Sequence, residues 1–382
     1  MACAMTEPST DGTALLGPDA EAASPAAAPT RDWKLSWDQR VPSPAKTIEL
    51  RVPATAYFFF KGYGMKDIKA LRPCGNGVTK QTQKQLKASF DNFYAQPMRW
   101  DGEEHVIVTE TYKTSCQGYP GDLTSAKGCA GLWRPVRSHL LSETADVDMK
   151  VAVPTILLWI CKQFGIACPQ LEWYVNHRED VLAKLMTDDG CSRAYAKEQF
   201  NIPWTWDKKL RGSKNTFLKD YDAEAKRIQP ELMARPELRW VLSFCGAEDS
   251  ENRTGCFIAK LWHFPLARLM QRVVHLLEEE EGEHVATVVH DGLNVANPAR
   301  HGDEPLLAKC TTACDEVCPG INMGWAWKPI DYEVRTKDKK ARVPDRTEGK
   351  VLIVDGNLCI PDDYEPPGPE DGEGAAANGA VA

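Results

Sequence analysis

Three short stretches of this 382-residue chain carry side chains suited to metal and phosphate chemistry. In DVDMKVAVPTILL (146–158), Asp146 and Asp148 stand one residue apart at the end of a β-prone piece, just ahead of a helix start. A carboxylate at a strand end is rigid and exposed, well placed to hold a cation. The plainer reading is a helix cap or a turn residue. In SRAYAKEQF (192–200), Arg193 and Lys197 are four residues apart, which puts both cations on one helical face. Like charges so placed repel unless an anion lies between them, and a triphosphate is such an anion. In VVHDGLNV (288–295), His290-Asp291 interrupts two strand-like runs. That is either a surface hairpin or a carboxylate held at the tip of a turn.

The elements that must position these groups follow from the apolar patterns. Strand character is expected at Thr55–Phe60 and over HVIVTETY (105–112), with a polar helix around 80–94. Pro154 fits the first turn of a helix through TILLWICKQF that ends at Gly165, the usual Pro-start, Gly-stop punctuation. A second helix is expected over 171–186, and a third starts at Ser192, whose hydroxyl can cap it. A fourth, over 266–281, aligns Leu266, Leu269, Met270, Val273, Val274 and Leu277 in one stripe. Strands on either side of His290-Asp291 complete an α+β pattern.

Composition sets the limits. With 43% hydrophobic residues the chain can bury a substantial core. No apolar run approaches a bilayer span and no signal segment is evident, so a soluble cytoplasmic or nuclear protein with no membrane association is expected. Thirteen scattered cysteines read as reduced thiols. The net charge of −8 is carried by the ends: residues 1–45 hold six acids and three bases, residues 351–382 seven acids and no base. The body between them is close to neutral, so nucleic acid is not excluded as a partner. Residues 1–45 read as a disordered tail and 346–382 as an acidic disordered tail. Between them, 46–145 form a mixed region and 146–345 carry the motifs.

Taken in order, these motifs resemble the palm and fingers of family A DNA polymerases and their single-subunit RNA polymerase relatives, over roughly residues 140–335. The resemblance rests on an Asp closing a strand before a helix (Asp148, with Asp146 as the alternative register) and on an R-x3-K helix followed by an aromatic (Arg193, Lys197, Phe200). It rests also on Asn252 and Gly255 ahead of a long helix, and on a His-Asp hairpin (His290, Asp291). It implies an antiparallel palm sheet with helical fingers, and a thumb-like role for 46–145. The implied activity is template-dependent nucleotidyl transfer to a primer, using two Mg2+ ions or Mn2+. Asp148 and Asp291 would hold the metals. Arg193 and Lys197 would grip the triphosphate, with Lys197 also a candidate acid, and Phe200 would face the base or sugar. His290 would orient the primer end. Partners would be a DNA or RNA template-primer and nucleoside triphosphates.

The chain departs from that pattern at Gly292, where the DNA polymerases place Glu, and at Val153, where a carboxylate commonly blocks a ribose 2′-hydroxyl. NIPWTW also stands where Tyr-Gly usually follows the aromatic. Two other readings are a catalytically degraded relative that only binds, and an unrelated hydrolase using Asp148, Asp291 and His290 on one metal.

Several features stand outside the motifs. KKLRGSKNTFLKDY (208–221) mixes Lys208, Lys209, Arg211 and Lys214 with Phe217 and Tyr221, a composition suited to a nucleic-acid backbone. The same residues also fit a charged loop, and Asn252 joins them as a primer or template contact by resemblance. Cys310, Cys314 and Cys318 share a helical face but lack the spacing of zinc knuckles, so buried thiols are expected. TrpAlaTrp (325–327) reads as strand or core, and the Glu-rich run 278–283 as a solvated helix end.

Overall fold

The structure is a computed structural model that describes residues 46–70, 80–116, 119–124, 128–205, 210, 213–246, 252–330, 352–354 and 357–369. The 1–45 tail, Lys208, Lys209, Arg211 and a second Lys/Arg-rich stretch, TKDKKAR (336–342), lie outside the described residues.

Helices and antiparallel sheets make up the fold. In β1 (Lys46–Pro53), Ile48, Leu50 and Val52 are buried while Glu49 and Arg51 face out, the period of two that a half-buried strand demands. β2 (Met98–Asp101), β3 (His105–Cys116) and β4 (Tyr119–Thr124) complete the first sheet, with β3 pairing antiparallel to the other three. Around it lie α1 (Ala54–Lys61), α2 (Met65–Ala70), α3 (Lys80–Tyr94) and α4 (Arg134–Leu140).

The strand expected at Thr55–Phe60 is helix α1 instead. Its aromatics are buried all round: Tyr57 meets Phe93 and Tyr94 of α3, and Phe58 stacks on Trp100 of β2. An all-apolar helix is stable where both sides are covered, and that tertiary packing overrides the β preference of aromatic residues.

The second sheet holds β5 (Ala145–Met149), β6 (Val285–Val289), β7 (Gly292–Val295) and β8 (Trp325–Lys328) in the order β6-β7-β5-β8, all neighbours antiparallel. Between β5 and β6 run α5 (Ala152–Gln163), α6 (Pro169–Asn176), α7 (Arg178–Asp189), α8 (Arg193–Thr205), α9 (Thr216–Met233), α10 (Arg239–Leu242) and α11 (Arg253–His275). α12 (Glu304–Val317) precedes β8. Pro154 lies in the first turn of α5, and Gly165 just past its end takes φ +65°. Ser192 Oγ accepts from Tyr195 N at 3.3 Å at the start of α8.

Two expected helices have other bounds. The 171–186 helix breaks into α6 and α7, because His177 leaves helical geometry at φ −127°. The 266–281 helix starts much earlier, at Arg253, and carries Pro265 in its interior. Phe257, Ile258, Leu261 and Phe264 extend its buried stripe back through that first half. It ends in a π-helical turn, Leu276–Glu280.

The Glu-rich run is not merely solvated. Glu280 pairs with Arg272 at 2.6 Å, Glu281 with Lys309 at 2.7 Å and Glu283 with Arg300 at 2.6 Å. Cys310, Cys314 and Cys318 are buried, and burial pushes the first two thiols up to about 12.

Part of the expected acidic tail is ordered. β9 (Leu352–Val354) and β10 (Asn357–Cys359) pair antiparallel, Leu358 is buried, and Tyr364 packs edge-on against Phe59 of α1. Those apolar side chains anchor a segment whose composition is otherwise acidic and Pro-rich. Among the described residues, no helix is long and apolar enough to cross a membrane.

Candidate active site

β5 alternates strictly. Ala145, Val147 and Met149 are buried, which leaves Asp146 and Asp148 together on the opposite face. The strand register sets Asp146 between Asn294 of β7 and Lys328 of β8, and Asp148 between Gly292 and Ala326. Asp148 therefore has no side chain larger than a methyl directly beside it on either strand.

Asp291 sits in the two-residue connection of the β6–β7 hairpin, after His290. His290 adopts φ +57°, a left-handed conformation that costs a non-glycine residue about 1 kcal/mol. Met149 N donates to Asp291 O at 2.9 Å, tying the hairpin tip to the end of β5.

Gly292 has a steric reason to be glycine. A Cβ there would lie 2.5 Å from Asp148 Oδ1 and 3.0 Å from Val147 O. The hairpin backbone approaches the Asp148 carboxylate so closely that a glutamate at this position would displace it.

Two cavities share Asp148, Asp291 and Lys328. One, of about 410 Å3, is also lined by Lys150, Val153, Tyr174, Arg193, Lys197 and Asn201. The other, of about 230 Å3, adds Arg134, Arg137, Ser138, Asp146, His290 and Asn294. The expected carboxylates and cations therefore meet in one cleft. α8 presents Arg193, Lys197 and Asn201 to it at four-residue intervals.

Phe200 is not on that face. Its ring is fully buried, 4.4 Å from Tyr174 and 5.2 Å from Tyr221 between ring centres, so the expected contact with base or sugar is corrected. Ala196, Phe200 and Trp204 form the inward stripe of α8. Tyr174 is the aromatic that reaches the cleft. Asn252 lines neither cavity and starts α11 at φ +64°. Lys214 also stands apart, its backbone N–H donating to Asp189 at 2.9 Å near the start of α9.

The charges are already engaged. Lys328 Nζ pairs with Asp148 Oδ2, and Arg193 makes a forked contact with Glu179 at 2.6 and 2.7 Å. Burial raises the Asp146 carboxyl above its usual range, with Lys328, Arg137 and Arg134 pulling it back and Asp291 pushing it further up. Burial also lowers Lys328, against the attraction of Asp146.

The residues fit a divalent-cation site. Asp148 and Asp291 line the same two cavities, and a cation, the Lys328 ammonium, already stands on the Asp148 carboxylate. Among the described residues there is no ready-made cluster of three or more His, Cys, Asp or Glu ligands. Two carboxylates suffice where Mg2+ keeps waters and substrate phosphates as its other ligands.

Lys150, Asn201, Tyr174, Arg134, Arg137 and Lys328 were not singled out from sequence. Asn201 alone carried a local signal, one helical turn beyond Lys197.

No known family profile matches the chain. A stretch of 204 residues, 51% of the chain, is 23% identical to the putative helicase V13 of the Sputnik virophage and spans 24% of that protein. Among solved structures, the POL domain of Pol1 from M. smegmatis, in complex with DNA primer-template and dNTP, aligns with 65% of this chain and 51% of its own. The identity is 11% and the TM-score 0.35, too low to define a shared fold.

Proposed function

We propose that the chain is a template-dependent nucleotidyltransferase with a family A-like palm. One observation carries the reading: Asp148 and Asp291, on adjoining strand ends, face the same cleft as Arg193 and Lys197 of α8. Asp148 and Asp291 would hold the divalent ions, which when bound neutralise triphosphate charge and activate the primer hydroxyl. Asp146, facing the smaller cavity, is the further carboxylate in reach.

The remaining work falls to the chain's own side chains. Arg193 and Lys197 bind the triphosphate; as the primer oxygen bonds the α-phosphorus its proton passes to solvent, the bond to pyrophosphate breaks, and Lys197 can protonate the leaving pyrophosphate. Tyr174 and Asn201 bound the nucleotide's side of the cleft. On the other flank, His290, Arg134 and Arg137 present donors to the primer end. Beside the thumb-like role the resemblance implies, the region 46–145 frames the hairpin from behind, with Tyr112 bonded to Thr287 and Val288 of β6.

A single-metal hydrolase built on Asp148, Asp291 and His290 leaves the two α8 cations over the carboxylates without a task. The catalytically degraded reading has a specific observation in its favour, since Asp148 and Arg193 are both held by internal partners. Primer extension separates the two. The full chain is supplied with a template-primer, dNTPs or NTPs, and Mg2+ or Mn2+, beside the Asp291→Ala variant. Extension that vanishes in Asp291→Ala is the expected result. No extension with either metal would overturn the enzymatic claim.

A further inference from the structure

Lys328 has no place in the proposed chemistry, yet it lines both cavities and sits at their junction. Its strand partner in register is Asp146, but its ammonium reaches diagonally to Asp148. The register explains why. On the Gly292 side the hairpin backbone packs against the carboxylate, whereas on β8 Ala326 presents only a methyl and leaves a slot beside it. The lysine stem, anchored one row away, extends into that slot. Asp148 is only 15% exposed, so its charge needs a partner close at hand, and Asp146 and Asp291 add to the negative potential there.

We infer that Lys328 is the resident counter-ion of this carboxylate site: it holds Asp148 in the metal-free protein and must yield that oxygen before a divalent cation can bind. The inference rests on the reading of Asp148 and Asp291 as metal ligands. Lys328 thus acts as a positioning and gating residue, touching the metal ligand and not the reacting atoms. Its consequence is coupling between ligands. An ammonium displaced from Asp148 remains in the cleft shared with Arg193 and Lys197, where a triphosphate is its next anion. Metal loading is then weak alone and favoured by nucleotide.

The test is direct Mn2+ binding to the full chain, read as the loss of the free-ion signal in electron paramagnetic resonance. Wild type, Lys328→Met, Lys328→Arg and the double variant Asp148→Asn/Asp291→Asn are compared, each checked for folding by thermal unfolding. Without nucleotide, Lys328→Met keeps the stem and loses the competing charge, so it binds Mn2+ about tenfold more tightly than wild type. Lys328→Arg keeps the charge and stays close to wild type, and the carboxylate double variant loses the tight site. With a non-hydrolysable nucleoside triphosphate present, the advantage of Lys328→Met shrinks.

Mn2+ affinity in Lys328→Met equal to or below that of wild type, including no binding in either, overturns the inference. So does an advantage that persists in the carboxylate double variant carrying Lys328→Met. Primer extension decides the broader reading separately. Extension by wild type without a gain in Lys328→Met sinks only the counter-ion role, whereas a gain without extension sinks only nucleotidyl transfer.

Discussion

In the sheet of β1–β4, the buried acid Glu110 has every oxygen committed. Cys129 N donates to it at 2.6 Å, Tyr112 Oη at 2.6 Å and Thr287 Oγ1 at 3.5 Å. In the sheet of β5–β8, Asp146, Asp148 and Asp291 gather around one lysine and a cleft, at a hairpin whose first loop residue is left-handed. The first sheet, which includes the longest of the described strands, buries its acid in hydrogen bonds; the second has strands of four or five residues and lines a cleft with carboxylates. The two meet where Tyr112 Oη accepts from Val288 N at 3.2 Å, one residue before the end of β6. A satisfied network in the frame thereby fixes a strand that ends at the His290-Asp291 hairpin. Backbone strain such as that at His290 persists in a fold only where the surroundings over-determine it, and the frame supplies that constraint.

Gly292→Ala tests the site half of this contrast and has the largest expected effect. Its methyl must push Asp148 or the hairpin, at a cost of about 1–3 kcal/mol in stability. With Asp148 as the proposed metal ligand, a shift of about 1 Å in its carboxylate costs primer extension about a hundredfold. Normal extension by a stably folded Gly292→Ala protein would show that the close approach is dispensable. Tyr112→Phe tests the frame. It strips one partner each from Glu110, Thr287 and the Val288 N–H, so urea unfolding loses about 1–3 kcal/mol. Extension per folded molecule falls less than in Gly292→Ala, because the hairpin loosens without a collision. An unchanged unfolding midpoint would mean that the network does not hold the two sheets together.

What could be read from the sequence follows from how local each signal is. Asp148, Asp291, Arg193 and Lys197 each lie in a pattern a few residues long, a strand end or a one-turn spacing, and the fold brings all four to one cleft. Phe200 misled because the resemblance named it, although the stripe Ala196, Phe200, Trp204 on the same helix already marked its face as apolar. Lys328 was out of reach. Its meaning depends on β8 pairing with β5, a partner 180 residues away, and no periodicity announces a non-local register. Arg134 and Arg137 became visible only when α4 packed against the hairpin. The aromatic run in α1 was misread because a fully buried helix and a buried strand look alike over so few residues.

Glu110 offers a pH readout of the frame. Burial holds its carboxyl above 4.5, against the opposing hydrogen bonds from Tyr112, Cys129 and Thr287. The folded state therefore binds this proton more tightly than the unfolded chain does. The stability it contributes is complete below 4.5 and is lost as pH rises through the raised folded value. Glu110→Gln has no proton to lose, so the difference in unfolding free energy between wild type and variant should decline across that window and be flat above it. A difference that does not change with pH would remove Glu110 as the titrating group.

The smallest effect expected belongs to Glu179→Gln, at the rim of the site. Arg193 and Glu179 are 46% and 66% exposed, and a pair that open to water is worth about 0–1 kcal/mol, so the melting temperature should hardly move. The hydrogen bond from Arg193 holds the Glu179 carboxyl below its usual range, so it stays ionised at neutral pH and competes with any triphosphate for the guanidinium. Removing that competition lowers KM for the nucleotide by at most about fivefold and leaves kcat alone. The gain fades as salt rises, because the competing charge is exposed and screened. If instead KM rises, Glu179 is orienting Arg193 rather than competing for it, and the rim of the cleft belongs with the frame in spending its charges on itself.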